Sequence, residues 1–203
     1  RGTLIPLQKE YEIDFEWRGF ELHPEIPVGG MDIKQMFNSR AVDGMYARLK
    51  TVADELGVPI NRHDHAPSTK VALALSEFAR RHGALDAWRT AAMDAYWEHG
   101  RDLEDREVLR ELLEGAGLDA DAALDWLSDP EVPTILRDQR AEAARFGVTG
   151  IPTWFMIPAG WAPGDPMSEE GPRPVRMVGC QPANVVEQVA QMAGAVRRGS
   201  ATG

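Results

Sequence analysis

The chain reads as an α/β protein in which a long run of helices interrupts a small sheet, and three observations carry that reading. Strand-like patterning is confined to the two ends, at Ile13 to Trp17 and again at Thr153 to Ile157 and Val175 to Val178. Between them, from Met31 to about Gly147, apolar residues recur only at helical spacing. The third is the junction Gly-Val-Thr-Gly-Ile-Pro-Thr-Trp-Phe-Met-Ile from Gly147 to Ile157. There a helix rich in Ala, Glu and Arg stops at a glycine, and Pro152 opens an apolar strand with backbone groups left free for another partner, such as an extended peptide.

The elements follow in order. Ile13, Phe15 and Trp17 alternate with Asp14, Glu16 and Arg18, the period-2 pattern of an edge strand with one covered face. Trp17 is assigned to the core. Pro24, Pro27, Gly29 and Gly30 mark a loop. Met36, Phe37, Met45, Leu49, Val52 and Leu56 fall near helical spacing, and Gly57 closes that segment. After the loop Asn61 to Pro67, Ser68 or Thr69 can cap a helix presenting Ala72, Leu75, Phe78 and Ala79. Beyond Gly83 come one helix with Trp88, Ala92 and Tyr96 and another with Leu109, Leu112 and Leu113. Asp119 caps a short helix, and Asp129-Pro130 puts a proline at the first helical position of the segment reaching Phe146. Five or six helices are expected.

Residues 153–157 and 175–178 pair as an antiparallel hairpin. Their connection, 158–174, far exceeds the usual 2 to 5 residues of a hairpin loop. Gln181-Pro182 opens a last helix through Val185, Val189 and Met192, and Gly199 to Gly203 form a frayed tail.

Composition excludes several classes. The 203 residues, 43% hydrophobic, suffice for a normal core. A net charge of -10 argues against nucleic-acid and anionic-membrane surfaces, and no apolar run approaches the roughly 20 residues of a membrane helix. The single cysteine, Cys180, forms no internal disulfide, so a reducing, cytoplasmic setting is expected. His63 and His65 flank Asp64 in a Pro-bounded loop without a third ligand, so they read as solvated surface and no metal is expected.

Gly147 to Thr153 resembles the cis-proline loop of DsbA-type oxidoreductases of the thioredoxin fold, in which the residue before a cis proline pairs its backbone with substrate. Trp17 to Pro24 is similar to the strand and turn after the first helix of the FrnE-like branch, and Val178 to Pro182 to its last strand and final helix start. Pro67-Ser68-Thr69 resembles the Pro-Asn-Thr helix start of FrnE-like proteins and of 2-hydroxychromene-2-carboxylate isomerases, with serine replacing asparagine.

The resemblance implies a thioredoxin-like sheet with an inserted all-helical subdomain. The sheet domain is expected at 1–30 and 147–203, the helical insert at 31–146. It implies a cis Ile151-Pro152 bond and a substrate-binding surface made by Gly150, Ile151, Pro152, Thr153 and Gly179, with Cys180 as a possible accessory thiol. It also implies a Cys-x-x-Cys pair and a first strand, both expected upstream of Arg1, because Gly2 to Tyr11 aligns with the rest of the family's first helix. The activity implied is thiol-disulfide exchange on a protein or small-molecule substrate, without a cofactor. Two alternatives stand beside it: a glutathione-dependent isomerase or transferase of the same fold, and a non-catalytic binding module. Oligomeric state is left open.

Overall fold

The computed structural model describes residues 4–161 and 171–199. In chain order the elements are α1 (Leu4–Glu10), β1 (Met31–Asp32), α2 (Ile33–Met36), α3 (Ser39–Glu55), β2 (His65–Ala66), α4 (Lys70–Arg81) and α5 (Leu85–Trp97). There follow α6 (Arg106–Gly115), α7 (Ala120–Trp126), α8 (Val132–Arg145), β3 (Thr153–Met156), β4 (Val175–Val178) and α9 (Ala183–Met192). They divide into two compact units, one of Arg1–Trp17 with Gly147–Gly203, the other of Arg18–Phe146. The first boundary thus falls after Trp17 rather than at residue 30, because Arg18 onward packs with the helices.

In the sheet unit, β3 and β4 run antiparallel with Thr153 opposite Val178, Trp154 opposite Met177 and Met156 opposite Val175. Alternation sends Trp154, Met156 and Met177 to one face. There they meet Leu4 and Leu7 of α1 and Val186 and Ala190 of α9. Tyr11, buried at the end of α1, organises the polar edge of this core. Its hydroxyl donates to Glu187 Oε1 at 2.6 Å and accepts from Gln191 Nε2 at 2.7 Å and Arg197 Nε at 3.2 Å. The Tyr11 hydroxyl first, and Arg197 second, hold the Glu187 carboxyl below its ordinary pKa. Backbone bonds from Glu12 N–H to the Val196 carbonyl and from Arg198 N–H to the Glu10 carbonyl, both 2.8 Å, clasp the chain after α9 to the end of α1.

The helical unit buries Leu75, Phe78, Ala79, Trp88, Leu109, Leu112, Leu113, Ala123 and Leu124 in one cluster, so it has a core of its own. Trp88 donates its indole N–H to Ser76 Oγ at 3.1 Å. Asp105 and Asp119 cap α6 and α7 by accepting N–H groups of the first turn. Glu131 accepts from the guanidinium of Arg81 and, at 2.8 Å, from Trp126 Nε1, with Arg81 lying over the Trp126 ring.

Several sequence expectations are corrected. Residues 12–22 form no strand. The half-buried Ile13, Phe15 and Trp17 do alternate with exposed Asp14 and Glu16, but side-chain packing holds them: Phe15 stacks on Trp17, and Trp17 meets Trp154 edge-on at 5.6 Å. Two-residue strands do occur among the helices, where Met31 pairs with Ala66 and Asp32 with His65. The segment from Met36 to Leu56 is two helices, since Asn38 breaks it to cap α3 by accepting the Ala41 N–H. Counting four-residue α2, seven helices lie in the described part of 31–146. Thr69 occupies the N-cap of α4 without a side-chain cap bond, and the N–H of buried Ser68 donates to Glu104 Oε2 instead. α8 begins at Val132, so Pro133, not Pro130, lies in its first turn. The expected hairpin is present, with Thr153–Met156 paired to Val175–Val178 and Ile157 beyond the strand; the middle of its connection, 162–170, and the tail 200–203 lie outside the described residues.

Two outcomes are expected. Tyr11→Phe removes the hydroxyl shared by three partners and should cost about 1–2 kcal/mol by urea denaturation. Because the folded pKa of Glu187 is depressed, its contribution is full above about pH 4.5 and fades as pH falls through the folded value; the variant should therefore lose less stability on acidification than the parent. Leu113→Ala, in the fully buried centre of the helical unit, should cost about 2–5 kcal/mol. A loss below about 1 kcal/mol would show that this core is not packed as described.

Candidate functional site

The candidate site lies where the first residues of β3 meet the end of β4. α8 ends at Arg145, and Gly147 takes φ +63°, a left-handed turn that glycine adopts without steric cost. Arg176 Nη2 donates to the Gly147 carbonyl at 2.7 Å and anchors the loop that follows. Within that loop Thr153 Oγ1 donates to the Gly150 carbonyl at 2.6 Å. The Ile151-Pro152 peptide is cis. Ile151 itself is 52% exposed, and neither its N–H nor its carbonyl is hydrogen-bonded among the described residues.

The second loop is brought alongside by the strand register. Thr153 pairs with Val178, and beyond that pair the Gly179 N–H donates to the Pro152 carbonyl at 2.7 Å. Gly179 has φ +80°, where any side chain is strained. Gln181 Nε2 returns to the Val178 carbonyl at 2.8 Å and closes the turn. Cys180 is an exposed free thiol two residues before Pro182, the N-cap of α9. Gly150, Ile151, Pro152, Thr153, Gly179 and Cys180 therefore form one surface, held by the main-chain bond from Gly179 to Pro152 and by the side chains of Thr153, Arg176 and Gln181, with the Ile151 backbone groups open. Such a surface can pair with an extended chain. The sequence reading missed Arg176 and Gln181, which hold the two loops; the only sign of Arg176 is its outward position in the alternation of β4.

The other candidates have structural work. The Tyr46 hydroxyl donates to the His63 carbonyl at 2.9 Å and that of Tyr96 to the His65 carbonyl at 3.2 Å, while Lys34 pairs with Asp64 at 2.6 Å. Burial, with Tyr46 second, pushes the Tyr96 pKa up to about 12, so its phenol stays protonated and keeps donating. No group of three or more potential ligands that could hold a metal occurs among the described residues. His23 bonds Glu25 and meets Phe37 edge-on.

The comparisons agree with this architecture. A family model described as the DSBA-like thioredoxin domain matches residues 3–169, and the chain belongs to that family. The crystal structure of a probable DsbA oxidoreductase from Streptomyces coelicolor superposes with a TM-score of 0.71 at 26% identity, covering 92% of this chain and 76% of that one. A 2-hydroxychromene-2-carboxylate isomerase of Sphingobium xenophagum is 35% identical over 79 residues, 39% of this chain and 40% of the isomerase. An uncharacterized Bacillus subtilis (strain 168) protein, YwbO, is 24% identical over 152 residues, 73% of this chain and 74% of its own. The fold is therefore thioredoxin-like, with helices inserted into it. No helix among the described residues is long and apolar enough to cross a membrane.

The exposed Cys180 thiol should be labelled by a thiol reagent in the native protein as completely as in denaturant, read on the peptide that carries it. Labelling that requires denaturant would place the thiol in the core.

Proposed function

We propose that the protein acts in thiol-disulfide exchange, with Ile151 as the backbone partner of an extended substrate and a cysteine pair, expected ahead of Arg1, as the reacting group. The supporting observation is the exposed Ile151 backbone, without hydrogen bonds among the described residues and fixed beside Gly179 and Cys180, in a chain of the DsbA-like family. In the exchange a thiolate forms a bond to one sulfur of a disulfide and the other sulfur leaves as a thiolate. The second cysteine then attacks the mixed disulfide and releases the remaining substrate thiolate. Gly150, Thr153 and Gly179 shape the surface, and Cys180 is the candidate accessory thiol. The reading includes a first strand ahead of Arg1 pairing along Ile13 to Trp17, which retain a strand's alternating burial without a ladder. It takes a protein or small-molecule disulfide as partner, needs no cofactor or metal, and belongs in a reducing, cytoplasmic setting.

A second reading follows from the partial relative named as an isomerase: a glutathione-dependent isomerase in which a serine replaces the first cysteine. One experiment separates the two. The protein is expressed with the residues that precede Arg1 in its gene and assayed for reduction of insulin disulfides and for glutathione binding by calorimetry. Exchange that disappears when either upstream cysteine becomes serine supports the first reading. A lone upstream serine with glutathione binding supports the second. Neither activity overturns both and leaves a binding module. Cys180→Ser in the same assay tests the accessory thiol, and an unchanged rate removes it from the mechanism.

A further inference from the structure

α3 carries two apolar rows: one is buried within the chain, and the second is covered only in part, with Met45 packed against the cluster that the first row forms. Val42, Tyr46 and Ala53 are buried, with Val42 and Tyr46 clustering with Ile33. About a fifth of a turn around the helix lies a second row, Met45, Leu49, Val52 and Leu56, at spacings of four, three and four. Met45 and Leu49 are half-buried, while Val52 and Leu56 are 41% and 38% exposed. That spacing is the seam of a helix pair. Arg48 and Glu55 border the row on its outer side, both exposed, and neither has an ion pair or side-chain hydrogen bond among the described residues. By contrast Lys50 and Asp54, on the far side of the helix, pair with each other at 2.8 Å.

We propose that α3 docks against α3 of a second copy of this chain, antiparallel about a two-fold axis between Leu49 and Val52. In that pairing Leu49 packs on Val52 of the second copy and Met45 on its Leu56, so the whole row is covered by itself. Arg48 then faces Glu55 of the second copy, and Glu55 faces Arg48, giving two ion pairs per dimer. A parallel pairing sets Arg48 beside Ala53 of the second copy and gains neither. This self-complementarity of charge selects a second copy as the occupant, and an isologous contact of this kind closes as a dimer. A 17-residue helix is about 25 Å long, which puts the interface at the small end of specific contacts and makes the dimer reversible.

Sedimentation velocity from low-micromolar to near-millimolar protein tests this. The parent should pass from monomer to dimer across the range. Arg48→Glu and Glu55→Arg should each raise the dissociation constant about tenfold or more, since each turns two attractive pairs into repulsive ones. The double variant R48E/E55R, and an equimolar mixture of the two single variants, should dimerise again, with circular dichroism unchanged throughout. A parent that stays monomeric over the whole range, or a dimer indifferent to these reversals, overturns the proposal. This outcome is independent of the exchange chemistry, because α3 carries none of the site residues.

Discussion

The register of β3 on β4 is the constraint on which the site depends. With Thr153 opposite Val178, the inward residues Trp154, Met156 and Met177 reach Leu7, Val186 and Ala190. A slip of one residue would turn this set to solvent and bring Phe155 and Arg176 into an apolar core. Burial of those side chains therefore fixes the register. The register in turn sets the Gly179 N–H against the Pro152 carbonyl and leaves Ile151 exposed beside it.

Much of this was legible in the chain because its signals are local. A glycine stop, an Ile-Pro pair and a β-branched aromatic run mark the Gly147 to Ile157 junction in eleven consecutive residues, whereas Gly179 was reached only through the resemblance of Val178 to Pro182 to the family's last strand and helix start; the structure adds its positive φ. What was not legible depends on partners distant in sequence. The alternation at Ile13 to Trp17 reports which side chains are covered, and it did so correctly, but alternation says nothing of whether a ladder forms. Ser68 and Thr69 are good capping residues by type, yet the Glu104 carboxylate, 36 residues away, takes the Ser68 N–H. Pro130 and Pro133 both suit a helix start, and Glu131, held by Arg81 and Trp126, lies at the N-cap before Val132.

The helical unit shows the same division. Its core positions, Leu75, Phe78, Trp88, Leu109, Leu112 and Leu113, follow from periodicity and are buried as periodicity requires. Asn61 to Pro67 is irregular apart from the two-residue β2, and what pattern did not show is how it is held. Its histidines belong to a segment tied down by the hydroxyls of Tyr46 and Tyr96, so His63 and His65 present their carbonyls to the fold.

The central claim is that the Ile151 and Gly179 loops receive an extended chain. Nitrogen-15 NMR of the protein titrated with a short peptide disulfide tests it directly. The account predicts that the amide signals of Gly150, Ile151, Thr153, Gly179 and Cys180 shift together and saturate with one dissociation constant. Saturable shifts confined to other residues, with these five unmoved, would contradict it.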